Sequence, residues 1–244
     1  MTAKIREVLR KLRLDLSRKL IARFYLSGNG IEIGGLNNPL PLSRKASVRY
    51  VDRMSVEDLR KQYPELSGMP LVHVDVIDNG ELLSTVDDDS QDFVIANHFL
   101  EHTENPILAV QNMLRVLKPG GVLYVALPDK RFTFDSKRPV TKLDHIVTDF
   151  KNGPAWSVKS HYEEWARIFN EHITDDAEIV AQAESLMSMN YSIHYHVWTP
   201  KEMLELFLYI SNECQLKFEY ELMFKNDVEV IFLFRKSTDN NGVH

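Results

Sequence analysis

The sequence has little of several features that mark particular protein classes. A single cysteine, Cys214, among 244 residues excludes an internal disulfide framework and a cysteine-based zinc site, and it fits a reducing compartment. No apolar run approaches the roughly 20 residues of a membrane span, and no signal-peptide pattern opens the chain. We therefore expect a cytoplasmic protein.

Internal repeats and low-complexity tracts are also lacking. The sequence is 44% hydrophobic and 26% charged, which is ordinary for a globular protein with a sizeable core. A chain of this length forms one large domain or two small ones.

Charge is unevenly distributed along the chain. Residues 1–25 contain eight basic and two acidic side chains, which gives this segment a charge of +6. Because the net charge of the chain is −6, the remaining residues carry a charge of −12. This acidic remainder argues against nucleic acid as the main partner.

The basic segment is predicted to be a helix. Its apolar residues recur at helical spacing, so we expect residues 1–27 to form a basic amphipathic helix; these residues are Ile5, Val8, Leu9, Leu12, Leu16 and Leu20. Such a helix packs on the domain with its basic face in water, or it contacts an anionic membrane surface at the inner face of the membrane or an acidic partner. Both alternatives stay open.

The rest of the chain alternates short apolar runs with helical patterns. Expected strands are Gly30–Gly34, Val48–Asp52, Leu71–Asp75, Phe93–Asn97 and Val122–Leu127, and expected helices are Val56–Tyr63, Asn105–Leu117, Ser157–Phe169, 175–187 and 200–213. "LKFEYELMF" and "VEVIFLF" predict a terminal antiparallel hairpin. The alternation predicts a parallel α/β sheet that binds ligands at the carboxyl ends of its strands.

Four motifs follow one another in this frame. Glu32-Ile33-Gly34-Gly35 is an acidic-glycine turn after a strand, and Asp52 ends the next strand 18 residues beyond Gly34. A carboxylate at that place can accept both hydroxyls of a ribose. Asp75 ends the third strand, and the fourth motif is "DFVIANHFLEHTENPILAVQNMLRVLKPGGVLYVALPD".

This fourth motif closely resembles the class I S-adenosylmethionine (SAM)-dependent methyltransferases, in particular the type 11 group. The resemblance covers roughly residues 28–130. It implies SAM as cofactor and a Rossmann-like seven-stranded mixed sheet, with the last strand antiparallel and helices on both sides. We expect one methyltransferase domain over residues 28–244, with residues 130–198 as an inserted lid segment that covers the substrate.

The resemblance also implies roles for single residues. Glu32, Gly34, Gly35 and Asn37 match the loop that lies against the methionine part of SAM. Asp52 matches the ribose carboxylate, and Arg53 lies beside the adenine. Asp75 and Val76 match the pair at the adenine edge, and Asn97 and His98 match residues whose backbone lies near the SAM amino group.

The glycine-rich loop departs from the family pattern. Leu36 and Asn38 stand where glycines are usual, and we expect Asn37 and Asn38 to supply the left-handed turn because asparagine tolerates that geometry. Pro39 and Pro41 exclude the usual long helix after the loop. A short turn is therefore expected between the first two strands.

Methyl transfer mainly requires alignment of the acceptor with the methyl group, and a hydroxyl acceptor also benefits from a base. We expect His145 as the first choice of base, His161 as the second and Asp129 as a third catalytic candidate. The predicted site contains no metal. A metal site built from His194 and His196 with His145 or His161 is a weaker alternative.

The preferred function is O-methylation of a sugar, nucleotide-sugar or surface-glycan hydroxyl, with Lys130, Arg131 and Arg138 as contacts for an anionic acceptor. The alternatives are a phenol, a quinone or another small natural product as acceptor, a nicotinamide oxidoreductase, and a non-catalytic SAM-binding partner subunit. A homodimer also stays open.

Overall fold

Seven strands form one sheet in the order β3-β2-β1-β4-β5-β7-β6, in a computed structural model that describes residues 3–170 and 175–238. The strands are β1 (Gly28–Ile33), β2 (Ala46–Asp52), β3 (Val76–Ile77), β4 (Gln91–Asn97), β5 (Leu117–Pro128), β6 (Phe218–Asn226) and β7 (Glu229–Lys236). The helices are α1 (Ala3–Tyr25), α2 (Val56–Gln62), α3 (Pro106–Val116), α4 (Leu143–Asn152), α5 (Val158–Phe169), α6 (Asp176–Ser188) and α7 (Pro200–Glu213).

Strand direction confirms the expected mixed sheet. Strands β1 to β5 pair in parallel, whereas β7 is antiparallel to both β5 and β6. The last strand is therefore inserted between β5 and β6 with reversed direction, as the resemblance implied.

The two faces of the sheet form two apolar layers, because successive side chains of a strand point to opposite faces. Val94 and Ala96 of β4 pack in a cluster with residues of α3 and α7. Phe93 and Ile95 point to the other face and pack with Ala22 and Leu26, which belong to α1 and the residues that follow it. The sheet is thus covered on both sides, as a largely parallel sheet requires.

The third strand differs from its predicted bounds. We expected Leu71–Asp75, but β3 contains only Val76 and Ile77. The Tyr50 backbone N–H of β2 donates to the Asp75 carboxylate at 2.8 Å. This hydrogen bond to a side chain replaces the hydrogen bond to a backbone carbonyl that a regular pair of strands would form. Further along, the Asp78 N–H donates to the Asp52 carbonyl. The carboxyl end of the strand therefore lies two residues later than expected.

The loop after β1 also takes an unexpected backbone path. Gly34 and Leu36 adopt positive φ angles of 66° and 43°, and Asn37 and Asn38 do not. A side chain at Gly35 would place its Cβ 2.8 Å from the Tyr50 ring. The expectation that the asparagines supply the left-handed turn is therefore wrong, because Leu36 takes that conformation. The expected absence of a helix between β1 and β2 is confirmed.

Helix α1 exposes apolar residues that an amphipathic pattern would place against the domain. Its apolar residues Val8, Leu12, Leu16, Leu20 and Phe24 are exposed, Phe24 to 81%. Arg18 and Ala22 are instead buried. These members of the hydrophobic stripe thus lie in solvent. Contact of this stripe with an anionic surface or an acidic partner stays a prediction.

Arg18 is buried because it binds a buried carboxylate. Its Nε donates to Glu229 Oε1 at 2.8 Å, and its Nη2 forms an ion pair with Oε2. His98 Nε2 lies 2.7 Å from the same Oε2, and the Asn226 side-chain amide donates to Oε1. Helix α1, the end of β4 and the start of β7 therefore meet at one carboxylate.

The segment between β5 and α7 contains three helices, α4, α5 and α6. Of the expected insertion 130–198, residues 171–174 lie outside the described residues, as do 1–2 and 239–244 of the expected domain bounds. None of the helices within residues 3–170 and 175–238 combines the length and hydropathy of a membrane crossing.

Removing the Arg18 side chain should destabilise the protein strongly. Burial would raise the pKa of Glu229, but hydrogen bonds from His98 and Arg18 lower it to about 2, so the carboxylate is ionised in the interior. We expect Arg18→Ala to lower the free energy of unfolding by about 3–5 kcal/mol, because a buried charge loses its partner. Urea denaturation at pH 7 measures this.

The matched control is Arg13→Ala, on the exposed part of the same helix, which should change the free energy of unfolding by no more than about 0.5 kcal/mol. Equal effects of the two substitutions would contradict a structural role for the Arg18–Glu229 pair. The lowered pKa of Glu229 also means that its stabilisation is present above pH 4.5 and is lost as the pH falls towards 2.

Candidate active site

The carboxyl edge of the parallel strands brings together residues from four places in the sequence. Gly34 follows β1, Asp52 ends β2, Asp78 follows β3 and Asn97 ends β4. Ligands of open α/β sheets bind at this edge where the strand order reverses, which is between β1 and β4 here.

Glu32 is fully buried and fixes the loop after β1. Both of its carboxylate oxygens accept the Leu40 backbone N–H, at 2.9 and 3.2 Å. Burial raises the pKa of Glu32 to about 7, although the Leu40 N–H and the charge of Arg18 oppose the rise. Its ionised form therefore requires further positive charge, which a bound ammonium group would supply.

Asp52 lies at the rim of a small cleft beside β2. Burial raises the pKa of its carboxyl, and the Arg53 N–H, which donates to Oδ1 at 2.7 Å, opposes the rise. The cleft has an empty volume of about 200 Å³ and is lined by Gly35, Leu36, Tyr50, Val51, Asp52, Leu59, Leu71, Val72 and Val74.

Two residues predicted for the cofactor site have partners elsewhere. The Arg53 guanidinium donates to the Asn190 carbonyl at 2.7 Å and to the Tyr63 hydroxyl, and so joins the end of α2 to the turn after α6. The Asn37 side-chain amide contacts Met69 Sδ at 3.1 Å on the surface.

Asp75 precedes β3, and Val76 is the first of its two residues, paired with Val51. Asp78 directly follows β3 and lies at the carboxyl edge. The Asp78 carboxylate accepts the Thr85 N–H and hydroxyl at 2.7 and 2.8 Å, which closes the loop that follows. A longer segment between β2 and β3 than the sequence pattern allowed for would have indicated Asp78.

Asn97 and His98 lie where they were predicted, at the end of β4. His98 adopts a φ of 53°, a left-handed conformation that is rare outside glycine and often marks functional sites. The Asn97 Oδ1 atom is buried without a hydrogen-bond partner among the described residues. A buried acceptor of this kind is suited to a donor group of a ligand.

Asp129 directly follows β5, but its carboxylate is already occupied. Arg131 donates to it from Nε at 2.9 Å and from Nη2 at 2.6 Å, and Lys225 Nζ lies 3.7 Å away. Burial would raise the pKa of Asp129, but the Arg131 hydrogen bonds hold it below its ordinary value. These contacts favour an ion-pair role, and its catalytic role stays a prediction.

His145 and His161 contact each other, with 3.0 Å between their Nε2 atoms. The nearby Asp149 and His196 complete a group whose donor atoms all lie within 4.8 Å of one another. Burial lowers the pKa of His161 to about 4, and the neighbouring His145 adds to the shift. An imidazole with so low a pKa is a weak proton acceptor at neutral pH.

A histidine outside the predicted catalytic set forms an acid–base pair. His194 Nδ1 lies 2.7 Å from Asp135 Oδ2, and Arg138 donates to the other oxygen of Asp135 at 2.9 Å. Burial would raise the pKa of Asp135, but His194 and Arg138 lower it. The carboxylate is therefore ionised and can orient the imidazole. "HYHVW" indicated His194 as a candidate, but no sequence signal paired it with Asp135.

Aromatic rings surround His194. Phe134 and Trp165 lie 4.8 and 5.7 Å from its ring centre, and Phe169 packs against both of these aromatic residues. The Glu101 carboxylate, fully buried and without a hydrogen-bond partner among the described residues, lies within 4.8 Å of the donor atom of His194 and 3.7 Å from His98. The pair with Asp135 thus adjoins the edge of the sheet at β4.

Residues 33–125 match the model of a methyltransferase-domain family. No curated protein matches the sequence. Among solved structures, a candidate S-adenosyl-L-methionine-dependent methyltransferase from Methanococcus maripaludis is 16% identical, with a TM-score of 0.50 over 98% of this chain and 92% of its own. A protein from Rhodobacter sphaeroides, named as a candidate zinc-dependent alcohol dehydrogenase, is 15% identical, with a TM-score of 0.50 over 87% and 85% of the two chains.

These likenesses support the sheet architecture alone, because the identities are low and the two proteins carry different names. The family match adds the cofactor class. It covers the loop after β1, the end of β2 and the whole of β4. The family match covers residues 33–125, which is less than half of the chain; it shows a methyltransferase-domain segment on a seven-stranded sheet with an inserted antiparallel strand, and it implies SAM as the cofactor.

Proposed function

We propose that the protein transfers the methyl group of SAM to a hydroxyl oxygen of a sugar, as a free glycoside, a nucleotide sugar or a surface glycan. We choose oxygen as the acceptor atom because His194 pairs with Asp135 beside the carboxyl edge of the sheet. A hydroxyl is a weak nucleophile at neutral pH, and a histidine oriented by a carboxylate is a suitable base for it.

The cofactor placement that we propose follows the edge of the sheet. Asp52 accepts the ribose hydroxyls, and the adenine enters the cleft beside Leu59 and Val72. The methionine end runs past Gly34 towards β4, where Asn97 Oδ1 and the Glu32 carboxyl face the ammonium group. The unpartnered Asn97 oxygen and the raised pKa of Glu32 support this direction.

The chemistry is one displacement at carbon. The sulfonium of bound SAM supplies an activated methyl group. His194 Nε2, the ring nitrogen opposite Asp135, accepts the hydroxyl proton as the O–C bond forms and the C–S bond breaks. Asp135 stabilises the resulting imidazolium, and Arg138 keeps Asp135 in place. The products are a methyl ether and S-adenosylhomocysteine.

The aromatic rings favour an acceptor with a flat apolar face. Phe134 and Phe169 are each half-exposed, and such rings pack against the C–H face of a sugar. They would also suit a phenol or quinone ring, which is the alternative acceptor class.

Charge pairing favours a neutral acceptor group over a phosphate. Arg138 is buried in ion pairs with Asp135 and Glu164, Arg131 pairs with Asp129, and Lys130 Nζ donates to the Ser136 carbonyl. Because these three cations already have partners, a phosphate would have to displace them. A glycoside or glycan hydroxyl is therefore our first choice within the proposed class.

The proposal is tested by incubating the protein with SAM and three acceptor panels: neutral glycosides, nucleotide sugars and phenols. Released S-adenosylhomocysteine and the methylated product are both measured. Turnover with glycosides above phenols supports the sugar proposal, and the reverse order supports the phenolic alternative. SAM binding without turnover on any panel would favour a non-catalytic partner subunit.

SAM binding should depend on Asp52 and not on Asp75. Asp52→Ala removes the carboxylate at the end of β2 and should weaken SAM binding by about 1–3 kcal/mol, the range for charge-assisted hydrogen bonds. Asp75→Asn is the control, because Asp75 precedes β3 and its oxygen binds the Tyr50 N–H. Calorimetric titration with SAM measures both. Wild-type affinity in Asp52→Ala would overturn the ribose assignment.

SAM affinity should rise with pH through the pKa of Glu32. Near pH 6 the Glu32 carboxyl is mostly protonated, since its pKa is about 7, and a bound ammonium group favours the ionised form. SAM binding should therefore release a proton and tighten from pH 6 to pH 8, by at most about tenfold per pH unit.

Glu32→Gln keeps an acceptor for the Leu40 N–H and should abolish that proton release, which calorimetry in two buffers of different ionisation enthalpy counts. An unchanged proton count would show that the ammonium group does not reach Glu32. In the protein without SAM, the pKa of Glu32 is raised, whereas the pKa of Glu229 is lowered. Ionisation of Glu32 therefore lowers the stability of the fold as the pH rises from 4.5 to 7.

Substitutions distinguish His194 from His145 and His161 as the catalytic base, because only replacement of the base should abolish most of the turnover. If His194 is the base, His194→Ala should lower turnover about 100-fold or more with SAM affinity nearly unchanged, and Asp135→Asn should also lower it. His145→Ala and His161→Ala test the bases predicted from sequence. A loss of turnover confined to those two variants would contradict the assignment of His194.

A further inference from the structure

Four side chains from three separated segments of the insertion converge in the interior. His145 and Asp149 lie one turn apart on α4, His161 lies on α5, and His196 lies in the segment before α7. Asp149, His161 and His196 are buried, and His145 is partly exposed. The set contains three imidazoles and one carboxylate.

The distances within this group match those between ligands of one small metal ion. Donor atoms around a tetrahedral ion lie about 3.3 Å apart when the bonds are about 2.05 Å long. His145 Nε2 lies 3.0 Å from His161 Nε2 and 3.1 Å from Asp149 Oδ2. All four donor atoms lie within 4.8 Å of one another, so small side-chain rotations would close the set around one ion.

Two of the buried atoms have no hydrogen-bond partner among the described residues. They are Asp149 Oδ2, which lies 3.1 Å from His145 Nε2 without a hydrogen bond to it, and His196 Nδ1. A buried carboxylate oxygen and a buried imidazole nitrogen without hydrogen bonds are both costly, and a single cation between them would satisfy both. This is the independent sign that the group holds a ligand.

The surrounding contacts orient the ligands. Ser157 Oγ donates to Asp149 Oδ1 at 2.8 Å, which leaves Oδ2 for the centre of the group. His196 Nε2 faces the Glu104 carbonyl at 3.5 Å, which leaves Nδ1 as its other donor atom. Partners of this kind hold metal-bound carboxylates and imidazoles in position.

We propose that His145, Asp149, His161 and His196 bind one Zn²⁺ ion. Imidazole nitrogen and carboxylate oxygen are ordinary zinc ligands, and four protein ligands make a closed, structural site. The ion joins α4, α5 and the segment of His196, and so fixes the insertion over the sheet. This proposal does not rest on the proposed function, because metal content is measured without any methyl acceptor.

The second group of donor atoms, Glu101, His102 and His194, is a poorer candidate. His102 Nδ1 lies 2.9 Å from the Ile193 carbonyl and 3.0 Å from Ser192 Oγ, and His194 Nδ1 is held by Asp135. This group offers three ligand residues, one fewer than the group on α4 and α5, and His194 is the base in the proposed reaction.

The test begins with the purified full chain. After dialysis against Zn²⁺ and removal of loose ions, elemental analysis should give about one zinc per chain. Chelation should lower the melting temperature by on the order of 10 °C, and Zn²⁺ but not Mg²⁺ should restore it. Co²⁺ added to the chelated protein should give the intense visible absorption of a four-coordinate ion.

Single substitutions locate the ion. His161→Ala and His196→Ala should each weaken Zn²⁺ binding by on the order of 100-fold or more, because a ligand is lost from a four-ligand site. His73→Ala, at an exposed histidine outside the group, and His102→Ala, in the second group, should retain one zinc per chain. If a variant fails to fold, the Co²⁺ titration of the chelated wild-type chain still decides the question.

Four results would overturn the proposal. Three of them are less than about 0.1 zinc per chain after dialysis, no four-coordinate Co²⁺ spectrum, and zinc retained in both His161→Ala and His196→Ala. Loss of zinc in His102→Ala alone would place the ion at the second group and would also overturn it.

Discussion

The buried carboxylate of Glu229 is the constraint on which the carboxyl edge of this sheet depends. An isolated charge in a protein interior is costly, and this one is satisfied only when Arg18 of α1, His98 at the end of β4 and Asn226 at the end of β6 are all in place. The ion pair thereby links the N-terminal helix, the inserted antiparallel strand and the proposed cofactor edge. His98, one of its partners, has a left-handed backbone conformation, so residues far apart in the chain meet beside the proposed site.

The proposed site divides into a cofactor side and an acceptor side with different origins. The cofactor side belongs to the sheet, where Glu32, Asp52 and Asn97 lie at strand ends. The acceptor side belongs to the insertion, where His194 and Asp135 lie among aromatic rings. Arg131 and Arg138 of the insertion are paired with the carboxylates of Asp129 and Asp135. The insertion also carries two groups of imidazoles. In our proposals, His194 with Asp135 transfers a proton, and His145, His161 and His196 with Asp149 bind a metal ion.

Much of the sheet could be predicted because strand and helix patterns are local. The runs that became β1, β2, β4 and β5 are β-rich, and the prolines after Leu36 exclude a helix there, as found. The third strand was predicted too early in the chain, because residues 71–74 do not form a regular ladder with β2. Next to them, the Asp75 side chain binds the Tyr50 backbone N–H. Left-handed geometry at Leu36 could not be predicted, because leucine disfavours it and only the packing of the loop imposes it.

The fold class, the resemblance that implies SAM and the candidates for cofactor binding at strand ends could all be inferred from the sequence, because periodicity and motif spacing are properties of neighbouring residues. The buried face of α1 could not be inferred in this way, since it depends on the Arg18–Glu229 pair, which joins residues 211 positions apart. Tertiary packing also decided that His145 meets His161 and His196, whereas His194 meets Asp135. Histidines two residues apart in "HYHVW" thus enter different groups, because the elements packed on each of them come from distant parts of the chain.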